Sequence, residues 1–194
     1  MRGTAAAAAA AAALLLTTVA CATGGTGLPG AAVTTTNPAT TALTTTDPAT
    51  GAGLAANGAR APVPGFGEVA YRISAMPSAL RCALLAETAQ QRAQGLMNRR
   101  DLAGYDGMLF DFASPVNVGF WMKDTPLPLS IAYFDGDGRF VSAVDMAPCL
   151  GRGNNCPSYP ASGPFRYALE VAQGGLGALG VGPGAVLTTA GPCS

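Results

Sequence analysis

Ser130-Ile-Ala-Tyr-Phe134 and Arg139-Phe-Val-Ser-Ala-Val144 flank Asp135-Gly-Asp-Gly138. Two β-branched and aromatic runs separated by an Asp-Gly turn are a strong short-range signal for a β-hairpin. This hairpin sets the class of the domain around it. Upstream, Leu80 to Leu85 reads as a short apolar strand. Thr88 then stands at a helix N-cap with Gln91 at the capping-box position, and Gly95 marks the end of that helix. Downstream, Phe165 to Val171 and Ala185 to Thr189 read as strands. The segment between them, Gly174 to Gly184, is so rich in glycine that any helix there must be short. The expected fold class is mostly β (α+β), with one or two short helices.

Texture divides the chain into three parts: 1–21, 22–66 and 67–194. At the front, Arg2 precedes an unbroken apolar and small-residue stretch from Ala5 to Ala20. That stretch is short of the roughly 20 residues that span a bilayer, so it reads as an export signal. Thr18-Val19-Ala20-Cys21 resembles a bacterial lipobox, in which Cys21 would be lipidated after cleavage. Ala20 suits that pattern and Thr18, where leucine is usual, departs from it. The alternative is secretory cleavage after Ala22. Lipidation would hold the protein at the outer face of a membrane, since two acyl chains suffice for stable anchoring. Residues 22–66 contain the near copies Thr34-Thr-Thr-Asn-Pro-Ala-Thr40 and Thr44-Thr-Thr-Asp-Pro-Ala-Thr50. Such a sequence buries too little to offset its ordering entropy and is expected to be a disordered linker, plain or O-glycosylated.

Composition excludes several activities. Eleven basic and eleven acidic side chains cancel, and no basic block tracks phosphates, so no nucleic-acid partner is expected. Histidine is absent, which removes Ser-His-Asp and Cys-His nucleophile pairs and His-ligated zinc. Beside Cys21, the four remaining cysteines form an even set in an exported chain and point to disulfides. Cys149 and Cys156 share one glycine- and proline-rich loop and would close a small ring. Cys82 and Cys193 are left to each other, beside the first and last expected strands. No Cys-x-x-Cys spacing suggests a metal, and no cofactor is implied.

The only tryptophan and the only lysine, Trp121 and Lys123, lie two residues apart in Phe120-Trp-Met-Lys-Asp-Thr125. On a strand, Phe120, Met122 and Asp124 face one way, and Trp121 and Lys123 the other. Such a pair can offer a cation and a ring to an anionic ligand. It can equally be structural, with Lys123 paired to Glu170. Asp145 and Glu170 would serve as paired carboxylates for glycoside hydrolysis if the fold held them roughly 5–10 Å apart. Asp135 and Asp137 supply only part of a calcium loop, and a hairpin turn accounts for them better. Met97, Met108, Met122 and Met146 read as core packing rather than soft-metal ligands.

Gly95-Leu-Met-Asn-Arg99, Gly107-Met-Leu-Phe110, Phe120-Trp-Met-Lys-Asp-Thr125 and Pro128-Leu-Ser-Ile131 occur in an order that resembles the domain-of-unknown-function 192 (DUF192) family. Tyr159-Pro-Ala161 and Tyr167-Ala-Leu-Glu170 answer to its later elements. The resemblance covers about 80 to 190 and implies a compact, barrel-like β domain. It brings no catalytic residues. Asp124 stands where asparagine is common, Ser130 where aspartate is usual, and Gly184-Ala185 where the family has Gly-Asp.

Together these readings give an exported, envelope-associated monomer that binds a glycan or other anionic component. Arg99, Trp121, Lys123, Asp124, Tyr159 and Glu170 are the candidate site residues. A histidine- and metal-independent enzyme acting on envelope material, or a purely structural accessory domain, are the alternatives.

Overall fold

The computed structural model describes residues 59–194. The signal, Cys21 and most of the linker lie outside these residues. Nine strands and one α-helix follow in chain order: β1 (Gly67–Ile73), β2 (Arg81–Ala86), α1 (Ala89–Gln94), β3 (Gly107–Val116), β4 (Gly119–Trp121), β5 (Leu129–Phe134), β6 (Phe140–Met146), β7 (Ser158–Pro160), β8 (Phe165–Ala172) and β9 (Leu187–Thr189). Seven strands form one sheet in the order β6-β5-β8-β3-β2-β1-β9, and β4 and β7 make a separate two-stranded ribbon. The long sheet curls into a half-barrel. Its two edge strands are pinned at one corner by a bridge between Arg139 and Val186.

β2 and β3 pair in parallel, while the other pairs in the large sheet are antiparallel. A parallel pair needs a crossover, and α1 lies in it. The helix starts as the sequence dictates. The Thr88 hydroxyl accepts from the Gln91 amide, and the Gln91 side chain accepts from the Thr88 amide. It ends at Gly95, whose φ of 47° few other residues tolerate.

The hairpin forms between β5 and β6, with Leu129 opposite Met146 and Ile131 opposite Val144. Every residue of β5 is buried. Leu129, Ile131 and Tyr133 pack on one face with Met108, Phe110, Phe165 and Ala168. Ala132 and Phe134 pack on the other with Leu109, Leu169 and Val171. A strand covered on both sides has no polar alternation, which is why β5 reads as one apolar run. At the turn, Gly138 takes φ 76°, and an added Cβ would sit 2.1 Å from the Leu187 carbonyl oxygen. The Asp135 carboxylate accepts from the amides of Asp137 and Arg139, as a turn residue does.

β1, β3 and the β4–β7 ribbon add to the expected strands. Order also begins before position 67. The Ala61 amide donates to the Ala103 carbonyl at 3.0 Å, and Val63 is buried against the core. The end of the expected linker is thus packed onto the domain. Cys82 is bonded to Cys193 and Cys149 to Cys156, with Cα–Cα separations of 5.7 and 5.9 Å. Glu68 approaches the first pair, but both sulfurs are joined to each other and leave no metal ligand. Among the described residues no helix is long and apolar enough to cross a membrane.

Candidate functional site

Residues 119 to 123 alternate as a strand should. Phe120 and Met122 turn inward to the core, whereas Trp121 is 43% exposed. β4 itself is only three residues long, and Lys123 continues it through a single bridge to Cys149. Asp124 breaks the alternation. Its φ is 50°, its amide donates to the Cys149 carbonyl and its carbonyl accepts from the Asn98 amide. Asn and Asp tolerate this left-handed backbone better than other non-glycine residues, which explains why either suits position 124.

On the outer surface, the Lys123 ammonium lies 5.3 Å from the centroid of the Trp121 ring. It also donates to Asn154 Oδ1 at 2.9 Å. Asn154 belongs to the loop closed by Cys149–Cys156, and exposed Leu150 stands on the same loop. Ring, ammonium and amide therefore form one small platform held by a covalent ring. The expected Lys123–Glu170 pair does not form. Lys123 points outward from a strand whose other face meets the core, and Glu170 is on the core side.

Glu170 sits in the middle of β8, opposite Met108 on one neighbour and Ile131 on the other. It is 4% exposed. Its carboxyl lines a narrow cavity of about 30 Å³ bounded by Arg92 and Gly95–Met97 of the helix end, Phe110, Phe120–Met122, Thr125 and Leu129. No side-chain hydrogen bond or ion pair to it occurs among the described residues. Burial without a compensating cation pushes its pKa up to about 8. At neutral pH it is mostly a neutral carboxylic acid.

The other candidates are spread around this centre. Tyr159 pairs with Phe120 across the ribbon. Its hydroxyl accepts from the Ala147 amide, and its carbonyl accepts from the Tyr133 hydroxyl at 2.6 Å. It supports the site from behind. Arg99 pairs with Asp101 at 3.3 Å and lines a separate, wide groove of about 600 Å³ between Val63–Phe66 and α1. Gln94, Gly95 and Met97 wall both spaces. Although larger, the groove contains no buried charged side chain, so the Glu170 cavity is the more specific chemistry.

The strand register separates Asp145 from Glu170. Asp145 lies directly across from Ser130, and Ser130 Oγ donates to it at 2.5 Å. Glu170 lies across from Ile131, the next residue along. Adjacent residues of a strand face opposite sides, so the two carboxylates are on opposite faces of the sheet and cannot flank one glycosidic bond. The same register locates the departures from the DUF192 pattern. Ser130 and Ala185 belong to the face away from Glu170. The elements that line the cavity, Gly95-Leu-Met97, Phe110, Phe120-Trp-Met122, Thr125 and Glu170, match the pattern.

DUF192 (Uncharacterized ACR) matches over residues 74–189. The chain belongs to the DUF192 family. A solved structure from Sinorhizobium meliloti 1021, described as a candidate transcription regulator, is similar at 31% identity and a TM-score of 0.54. The similarity covers 64% of this chain and 95% of that one. A protein of unknown function from Novosphingobium aromaticivorans DSM 12444 is 29% identical, again with a TM-score of 0.54, over 70% of this chain and 94% of that one. No curated protein matches. This DUF192 domain thus shares its fold with both solved structures.

Proposed function

We propose that this DUF192 protein is a binding module of the cell envelope, taking a glycan or other anionic envelope component on the Trp121–Lys123–Asn154 platform. The observation that carries this reading is the exposure of the lone tryptophan with an ammonium at its face, fixed beside a disulfide-closed loop. A large aromatic ring left in water and rigidly held is suited to stacking on a sugar ring, while Lys123 and Asn154 supply donors to acidic or hydroxyl groups. A closing role in the core does not call for such exposure. Two disulfides suit an oxidising compartment, in keeping with the export signal and the lipobox-like Cys21. Palmitate labelling that disappears in Cys21→Ala would support the anchor, and equal labelling of both would sink it.

The enzyme reading draws on Glu170, an acid poised to hold a proton at neutral pH. Among the described residues no second carboxylate lines its cavity, so binding is favoured. The S. meliloti description finds little counterpart here, because the charges cancel and only one lysine is present.

The test uses the intrinsic fluorescence of Trp121, the only indole in the chain. Soluble neutral and acidic cell-wall oligosaccharides are titrated into the mature protein. A saturable shift for the acidic oligomers, weakened in Lys123→Met, is expected. Absence of any saturable shift across both sets would overturn the platform reading.

A further inference from the structure

Glu170 presents a separate problem of physical chemistry. A buried carboxylate is strongly disfavoured unless a cation or hydrogen-bond donors compensate it. The chain directs its nearby cations and hydroxyls elsewhere. The Arg92 guanidinium donates to the carbonyls of Glu87 and Asp111 and stacks 4.7 Å from the Phe112 centroid. The Thr125 hydroxyl donates to the Lys123 carbonyl, and the Tyr133 hydroxyl to the Tyr159 carbonyl. Lys123 itself is engaged on the outside with Trp121 and Asn154. β3 and β5 contribute only the uncharged Phe110 and Leu129 to the cavity.

What remains facing the space is the Glu170 side chain, the Thr125 hydroxyl oxygen, the Gln94 amide and the aromatic rings of Phe110 and Phe120. Phe110 and Phe120 meet edge to face at 4.8 Å, which holds their orientation. A carboxyl and π-systems with no committed cation are complementary to one. The volume limits which cation. A water needs about 10–15 Å³ of such space, so about 30 Å³ takes two or three heavy atoms. A planar guanidinium is too large, whereas the end of an aminoalkyl chain fits.

We propose that the cavity between the end of α1, β4 and β8 binds a primary ammonium at the end of an alkyl chain, with Glu170 as its counter-ion and the aromatic rings as its walls. The bound species is an ionised carboxylate against an ammonium, so binding is linked to loss of the Glu170 proton. Affinity therefore rises as pH passes upward through about 8. This site lies beneath the Trp121 platform and does not depend on a glycan binding there.

The probe is methylammonium chloride, with equal sodium chloride as the salt control and methanol as a neutral donor of the same size. Thermal unfolding of the mature protein is followed at pH values well below and well above 8. The melting temperature is expected to rise with methylammonium over sodium chloride, more at the higher pH, and not with methanol. Glu170→Gln should abolish the rise. A rise of equal size in E170Q, an equal rise with methanol, or no rise over sodium chloride would each overturn the proposal. Should E170Q fail to fold, carboxyl-carbon NMR of the wild type decides the matter. Methylammonium must lower the Glu170 titration midpoint, and an unmoved midpoint rejects the site.

Discussion

Lys123 Nζ stands 5.3 Å over the Trp121 ring and 2.9 Å from Asn154 Oδ1, so one ammonium joins the ribbon to the Cys149–Cys156 loop. The contact is exposed, and cation–π pairs in water contribute about 0.5–1 kcal/mol. Lys123→Met is therefore expected to lower unfolding free energy by no more than about 1 kcal/mol, while changing the Trp121 emission spectrum. Denaturant unfolding monitored by circular dichroism and by fluorescence checks both parts. A cooperative collapse of the fold would show that Lys123 is structural.

The two disulfides should differ in weight. Cys82–Cys193 spans 111 residues and Cys149–Cys156 spans 7. On the chain-entropy account their losses cost about 4–5 and about 2–3 kcal/mol respectively. Paired serine variants, compared by urea unfolding, check the order. The smaller ring should matter more for the platform, because it carries Asn154. Its removal is expected to weaken ligand-induced fluorescence changes more than its modest stability effect suggests.

Glu170 should make stability fall with rising pH. Its folded pKa, about 8, lies above the ordinary carboxyl value of 4.5. Between these values the unfolded chain has released the proton and the folded chain retains it, so unfolding is favoured as pH rises. Each pH unit in that window removes up to about 1.4 kcal/mol. Below 4.5 and above 8 this contribution is flat. Glu170→Gln should flatten the profile within the window, measured by urea unfolding in a buffer series. An unchanged slope in E170Q would assign the pH dependence to other groups.

Gly138 joins the hairpin turn to the last strand. The Leu187 amide donates to its carbonyl at 2.8 Å, and its φ is 76°. Gly138→Ala places a Cβ against the Leu187 carbonyl and imposes a strained backbone. A destabilisation of about 2–4 kcal/mol is expected by thermal or urea unfolding, in the range of substitutions that combine strain and a backbone clash. Gly136, which meets nothing within 4 Å, serves as the control and should tolerate alanine far better.

Local signals were legible wherever the chain contacts mainly itself. Thr88, Gln91 and Gly95 delimit α1 within six residues, and the Asp135–Gly138 turn fixes the hairpin. β3 escaped because Gly107-Met-Leu-Phe110 is buried on both faces, giving no alternation, and the strand then runs on through exposed Ala113-Ser-Pro115. β4 and β7 are three residues each and exist through their pairing to one another. The sequence marked Trp121, Lys123 and Glu170 as chemically unusual. The structural alternative that pairs Lys123 with Glu170 fails, because the two side chains lie on opposite sides of the ribbon relative to the core.

By itself, the sequence determined the mostly β class, the capped helix, the hairpin and membership of a family, since these depend on short-range propensity and ordered motifs. Tertiary structure alone decided that Lys123 faces water and Glu170 faces a cavity. It also put Asp145 and Ser130 across the sheet from Glu170. Strand register causes this: a shift of one residue sends a side chain to the opposite face, and long-range pairing sets that register.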